Sequence, residues 1–130
     1  MVAKINKGNN LFGALIYNNQ KVENDLAKII HSNKVMQDKD GEHNMFLCNQ
    51  SFAPFLAANR KTEEPILHIS INPHPDDVLT DEQLIDIADE YMQKMGFGEQ
   101  PYIVFKHEDI ERKHIHIVSV NVDETGRKIN

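Results

Sequence analysis

Apolar and polar positions alternate most regularly in the second half of the 130-residue chain. From Pro65 to Asn72, apolar Leu67, Ile69 and Ile71 interleave with His68, Ser70 and Asn72, and the run stops at Pro73 and Pro75. That period of two predicts a strand running into a loop. Thr80, with Gln83 three residues on, forms a capping-box pattern, and Leu84, Ile87, Ala88, Tyr91 and Met95 then recur at helical spacing until Gly96. Tyr102–His107 and His114–Val122 are β-rich runs joined by the charged segment 108–113, which predicts an antiparallel hairpin.

The first half is less regular. Val2–Lys7 reads as a short strand ended by Gly8-Asn9-Asn10, where an Asn can cap a helix carrying Leu11, Leu15, Ile16 and Tyr17. Residues 18–41 are polar, with a weak helical patch around Leu26, Ile29 and Ile30 and an exposed turn at Gln37–Gly41. Glu42–Asn59 looks helical, with Pro54 breaking it or starting a second helix. Strand, helices, strand, helix, strand, strand is the order of an α+β domain, an antiparallel sheet with helices packed on one face. No repeat or low-complexity segment interrupts it, so residues 1–130 are read as one domain.

Composition narrows the class. With 40% hydrophobic and 26% charged residues, the chain can bury a real core. The 14 Lys+Arg against 20 Asp+Glu argue, taken whole, against a basic phosphate-binding surface. Split along the chain, residues 1–40 carry 6 basic against 4 acidic groups, residues 41–99 carry 3 against 11, and residues 100–130 carry 5 against 5. The acidity belongs to the middle, largely on a capped helix expected behind the sheet, and the flanking segments are compatible with a nucleic-acid strand. Cys48 is the single cysteine, so no internal disulfide forms and a reducing cytoplasm is the expected compartment. No apolar run is long enough for membrane insertion.

Three of the seven histidines lie within ten residues, at His107, His114 and His116. Residues two apart on a strand share a face, and a hairpin brings His107 beside the other two. Three imidazoles converging from rigid strands make half of a metal coordination sphere, with positions left for water or a substrate oxygen. The competing reading is a polar strip at the surface. Glu108 and Asp109 could orient an imidazole or help hold the ion, or be solvated loop carboxylates. His31, His43 and His74 are read as surface residues.

Phosphate chemistry at such a metal needs a nucleophile, either water or a tyrosine. Tyr91 shares the apolar face of its helix. Tyr102 alternates with Ile103 and points away from the face of Phe105 and His107. Tyr17 remains, on a helical face lined by Gly13 and Ala14 that leaves room for a bulky partner; core packing is its alternative.

These segments resemble a known family. His68-Ile-Ser-Ile-Asn-Pro-His-Pro-Asp-Asp, Leu79-Thr-Asp-Glu-Gln-Leu, Tyr91-Met-Gln-Lys-Met-Gly, Gln100-Pro-Tyr-Ile-Val-Phe-Lys-His-Glu-Asp and His114-Ile-His-Ile-Val are similar to mobilisation relaxases of the Bacteroides type, members of the HUH single-strand endonucleases. Ala14-Leu-Ile-Tyr-Asn-Asn-Gln-Lys-Val22 is similar to that family's tyrosine motif. The resemblance implies an HUH relaxase-like sandwich that nicks one DNA strand at a plasmid or transposon transfer origin for conjugative mobilisation. Tyr17 is then the nucleophile forming a 5′-phosphotyrosyl intermediate, and His107, His114 and His116 are the metal ligands. Mg²⁺ or Mn²⁺ is the implied ion, and three nitrogens would also suit Zn²⁺ or Ni²⁺. Single-stranded origin DNA, accessory mobilisation proteins and a coupling protein are the implied partners. The family's catalytic domain continues past the H-x-H strand, so the chain is expected to be an N-terminal fragment of a truncated catalytic domain.

His68-Ile69-Ser70 also fits half of the signature of metal-free two-histidine phosphoesterases, which act on RNA ends or cyclic phosphates. His114-Ile115-His116 ends in His where that family needs Ser or Thr. In the relaxase reading, His68 could contact DNA, orient a ligand, or be a satisfied, partly buried histidine. A non-catalytic DNA-binding accessory module is the third reading.

Overall fold

The computed structural model describes residues 1–108 and 113–129. In chain order it contains β1 (Val2–Gly8), α1 (Leu11–Glu23), β2 (Ala27–Asn33), α2 (Met45–Ala58), β3 (Ile66–Asn72), α3 (Asp81–Lys94), β4 (Tyr102–His107) and β5 (His114–Val120). The strands form one antiparallel sheet in the order β1-β3-β5-β4-β2. This is the α+β architecture expected, and β4 and β5 form the expected hairpin, with His107 opposite His114.

The central strands β3, β5 and β4 bury apolar side chains on both faces, and the helices divide between those faces accordingly. On the back, Leu67, Ile69, Ile71, Val104, Ile115 and Ile117 pack against Leu84, Ala88 and Met92 of α3. On the front, Ile103, Phe105, Val118 and Val120 pack against Leu11 and Leu15 of α1 and Met45, Cys48 and Phe52 of α2. The expectation that the helices pack on one face is thereby corrected: that arrangement would have left one of these rows in water, and each fully buried Leu, Ile or Phe side chain contributes about 1.5–3 kcal/mol. The acidic α3 therefore lies behind the sheet, as its charge suggested.

Local chemistry explains where the elements begin and end. Asn10 Oδ1 accepts from the Gly13 N–H at 2.9 Å and starts α1. On α3, both arms of the Thr80/Gln83 box form. Met92 takes the buried position on α3 while Met95 is exposed. Gly96, at φ +87°, then ends the turn.

Two segments differ from expectation. In the Leu26, Ile29, Ile30 patch, Ile29 and Ile30 belong to strand β2 and Leu26 directly precedes it, so no helix forms there. Asp25 and Lys34 bracket it at φ +59° and +55°, and the seven residues between α1 and the next loop pair with β4 through a bulge between Ile29 and His31. β-Branched Ile29 and Ile30 suit that role. The helix expected at Glu42–Asn59 starts later, at Asn44, whose side chain accepts from the Leu47 N–H at 2.8 Å, and it runs unbroken through Pro54. Pro54 is exposed, so the carbonyl of exposed Gln50 that it leaves without an N–H faces water.

Candidate metal centre

Strand alternation places His107, His114, His116 and His68 on the front face, at the end of the sheet that α1 and α2 leave partly open. Ser70 pairs with His116, and His116 pairs in turn with Phe105, so β3, β5 and β4 deliver these side chains as neighbours. One nitrogen from each of His107, His114 and His116 lies within 4.8 Å of the others. The His107 and His116 rings stack at 3.9 Å between centroids, and His114 stands 5.2 Å from His107 and 5.0 Å from His116. His107 is buried, while the other two are partly exposed.

Hydrogen bonds hold two of these rings from behind. His116 Nδ1 lies 2.9 Å from His68 Nε2, and His107 Nε2 lies 2.8 Å from Asn18 Oδ1. An imidazole whose second nitrogen is tied to a protein group is the usual arrangement of a metal-binding histidine, because the bond fixes ring orientation and tautomer. The three imidazole nitrogens, drawn together on rigid strands, fit a divalent cation that accepts imidazole at about 2.0–2.1 Å. Burial lowers the pKa of His68 below its ordinary 6.5, so that ring is neutral at pH 7.

The tyrosines separate as their spacing suggested. Tyr102 points into the back core, where its hydroxyl donates to Asp89 Oδ1 at 2.6 Å, and burial followed by that bond pushes its pKa up. Tyr91 packs against the same core. Tyr17 is 53% exposed, with its ring edge-on to His68 at 6.5 Å and the Lys21 ammonium 5.8 Å above it. His68 thus stands between Tyr17 and His116.

Glu108 closes β4 with its backbone N–H donating to the Leu26 carbonyl at 2.7 Å, and its carboxylate lies 4.0 Å from the Lys113 ammonium. Asp109 lies outside the described residues. Of the histidines read as surface residues, His74 is exposed. His31 lies 3.0 Å from Asp89 Oδ1, and His43 Nε2 lies 2.8 Å from Ser32 Oγ; both are partly buried. Asp89 offers His31 a carboxylate across the α3–β2 contact, which is why that ring turns inward.

Asn18 is the site residue that sequence reasoning passed over. Its signal is a polar side chain in the stripe Leu11, Leu15, Asn18, Val22, whose spacing places it on the core face of α1. Such a residue needs an internal partner.

Residues 17–130 match the family described as Relaxase: MobA/VirD2-like, nuclease domain. No curated protein and no solved structure matches the chain. Among the described residues, no helix is long and apolar enough to cross a membrane.

Proposed function

The chain belongs to the MobA/VirD2-like relaxase nuclease family, whose general activity is DNA nicking for mobilisation, and on that footing we propose that Tyr17 performs the cut. The Tyr17 phenol oxygen attacks the scissile phosphorus, the bond to the 3′ oxygen breaks, and the phenol proton is passed to the departing 3′-hydroxyl. The products are a 5′-phosphotyrosyl protein and a free 3′ end. The observation that carries this assignment is an exposed tyrosine one imidazole away from a three-histidine cluster.

His107, His114 and His116 would hold a divalent cation. Mg²⁺ or Mn²⁺ is the family's usual ion, and the all-nitrogen donor set favours Mn²⁺ over Mg²⁺ and would also accept Zn²⁺ or Ni²⁺. When bound, the ion supplies Lewis-acid stabilisation of charge growing on the non-bridging phosphate oxygens. His68 orients His116 and packs beside Tyr17, while Lys21 adds positive charge over the phenol ring. Glu108 and Asp109 follow His107 in the sequence and are candidate supporting carboxylates.

The open front face suits a single strand. Lys4 pairs with Ser70, and Ser70 pairs with His116, so a strand crossing β5, β3 and β1 meets these three side chains at steps of about 4.8 Å. The acidic α3 is on the opposite side. We take residues 1–130 as one domain, since both cores are built on one sheet, and we expect accessory mobilisation and coupling proteins to act with it.

The test is Tyr17→Phe, assayed on single-stranded origin DNA with Mn²⁺. Loss of the covalent protein–DNA adduct with Mn²⁺ affinity intact supports the assignment; an adduct formed by the variant overturns it. Metal-independent hydrolysis of a cyclic phosphate would instead point to a two-histidine phosphoesterase. Specific origin binding with neither cleavage nor adduct in the wild-type chain would point to an accessory module.

A further inference from the structure

We infer that Asn18 is a positioning residue that sets the tautomer of His107, and with it the nitrogen that His107 offers to a cation. The inference rests on the metal assignment above and gives a role to a residue that the tyrosine motif contains without assigning it one. Asn18 is fully buried, with its Nδ2 2.8 Å from the Ala14 carbonyl oxygen and its Oδ1 2.8 Å from His107 Nε2. The Ala14 carbonyl can only accept, so the group facing it is the amide NH₂, and the amide oxygen is turned to His107. That oxygen can only accept in its turn, so His107 Nε2 carries the hydrogen and donates it. The nitrogen by which His107 would ligate is therefore Nδ1.

Position 18 also follows Tyr17 directly. Consecutive helical residues project about 100° apart, which leaves Tyr17 largely exposed and Asn18 buried against β4. One helix thus presents the nucleophile on its outer side and the brace for a metal ligand on its inner side. The Asn18–His107 bond holds both to the same strand, and it spans 89 residues of chain.

The wild-type protein alone gives the first test. Long-range ¹H–¹⁵N NMR of the metal-free protein should show His107 as the Nε2–H tautomer; the Nδ1–H form would overturn the inference. The second test measures Mn²⁺ and Zn²⁺ affinity by calorimetry, without DNA. Asn18→Leu, similar in size and unable to accept, should weaken binding by about 10–100-fold and mix the His107 tautomers. Unchanged affinity and tautomer in folded Asn18→Leu would overturn the positioning role. Neither readout involves strand cleavage. A failed Tyr17 assignment would therefore leave these results standing, and a failed Asn18 assignment would leave the adduct assay standing.

Discussion

The two faces of the sheet are built from the same strands and treat ionisable groups in opposite ways. On the back, such groups are matched with partners of complementary charge or hydrogen-bonding capacity. Asp81, in the first turn of α3, takes the nearly buried Lys106 ammonium at 2.6 Å and Lys28 at 2.8 Å, and Asp89 takes the Tyr102 hydroxyl and His31 on one oxygen. These contacts tie α3 to β4 and β2. On the front, four imidazoles lie in ring contact with one another. Neutral imidazole nitrogens gathered in this way are the arrangement that shares one cation among several ligands. On β4 the two kinds meet at adjacent residues, with Lys106 paired behind the sheet and His107 gathered in front.

Neighbouring residues on β5 allow the sharpest attempt to break that contrast. His116→Ala should reduce nicking by about 10²–10³-fold or more and remove most metal affinity, read by an adduct assay and calorimetry, while the metal-free protein keeps its melting temperature. Ile117→Ala, one residue on and facing back, should cost about 2–5 kcal/mol by denaturant unfolding, with metal affinity of the folded protein unchanged. A large loss of metal-free stability in His116→Ala would mean that the front cluster is also structural.

Asp81→Asn probes the back alone. Its hydrogen bond with Lys106 and then that with Lys28 hold the Asp81 carboxyl down to about 2 from an ordinary 3.8. The stabilisation is present above 3.8, where the unfolded chain is already ionised, and is lost as pH falls through about 2. Because 38% of the side chain meets solvent, screening keeps the effect small. A fall in Tm of a few degrees is expected at pH 7, with the difference from wild type closing between pH 4 and 2. Thr80→Ala should have the smallest effect, about 1 kcal/mol through the lost α3 cap, with metal affinity unaltered.

How much of this was legible in the sequence follows from how local each signal is. The β4–β5 hairpin, the α3 cap and the shared face of His114 and His116 depend on spacing over a few residues, and all three form as the sequence reads. The strand β2 was not legible, because Leu26, Ile29 and Ile30 fit a helical turn as well as a strand, and an edge of β4 decides between them. Nor was the passage of α2 through Pro54, which depends on which side of the helix faces water. At the candidate site, the three clustered histidines and exposed Tyr17 could be picked out by pattern. The bonds from Asn18 to His107 and from His68 to His116 link residues 89 and 48 positions apart, so local pattern can mark Asn18 as a buried polar group but cannot name its partner.

The short β4–β5 connection has a kinetic consequence. His107 and His114 are seven residues apart, whereas Asn18, which docks α1 and with it Tyr17 on the cluster, is 89 residues from His107. Loop-closure entropy makes the longer contact costlier by about 2 kcal/mol, so a folding chain gathers its imidazoles well before the tyrosine arrives. The order of assembly would make the hairpin competent to hold an ion early. The ability to cut a DNA strand would come only once α1 has docked and the sheet is complete.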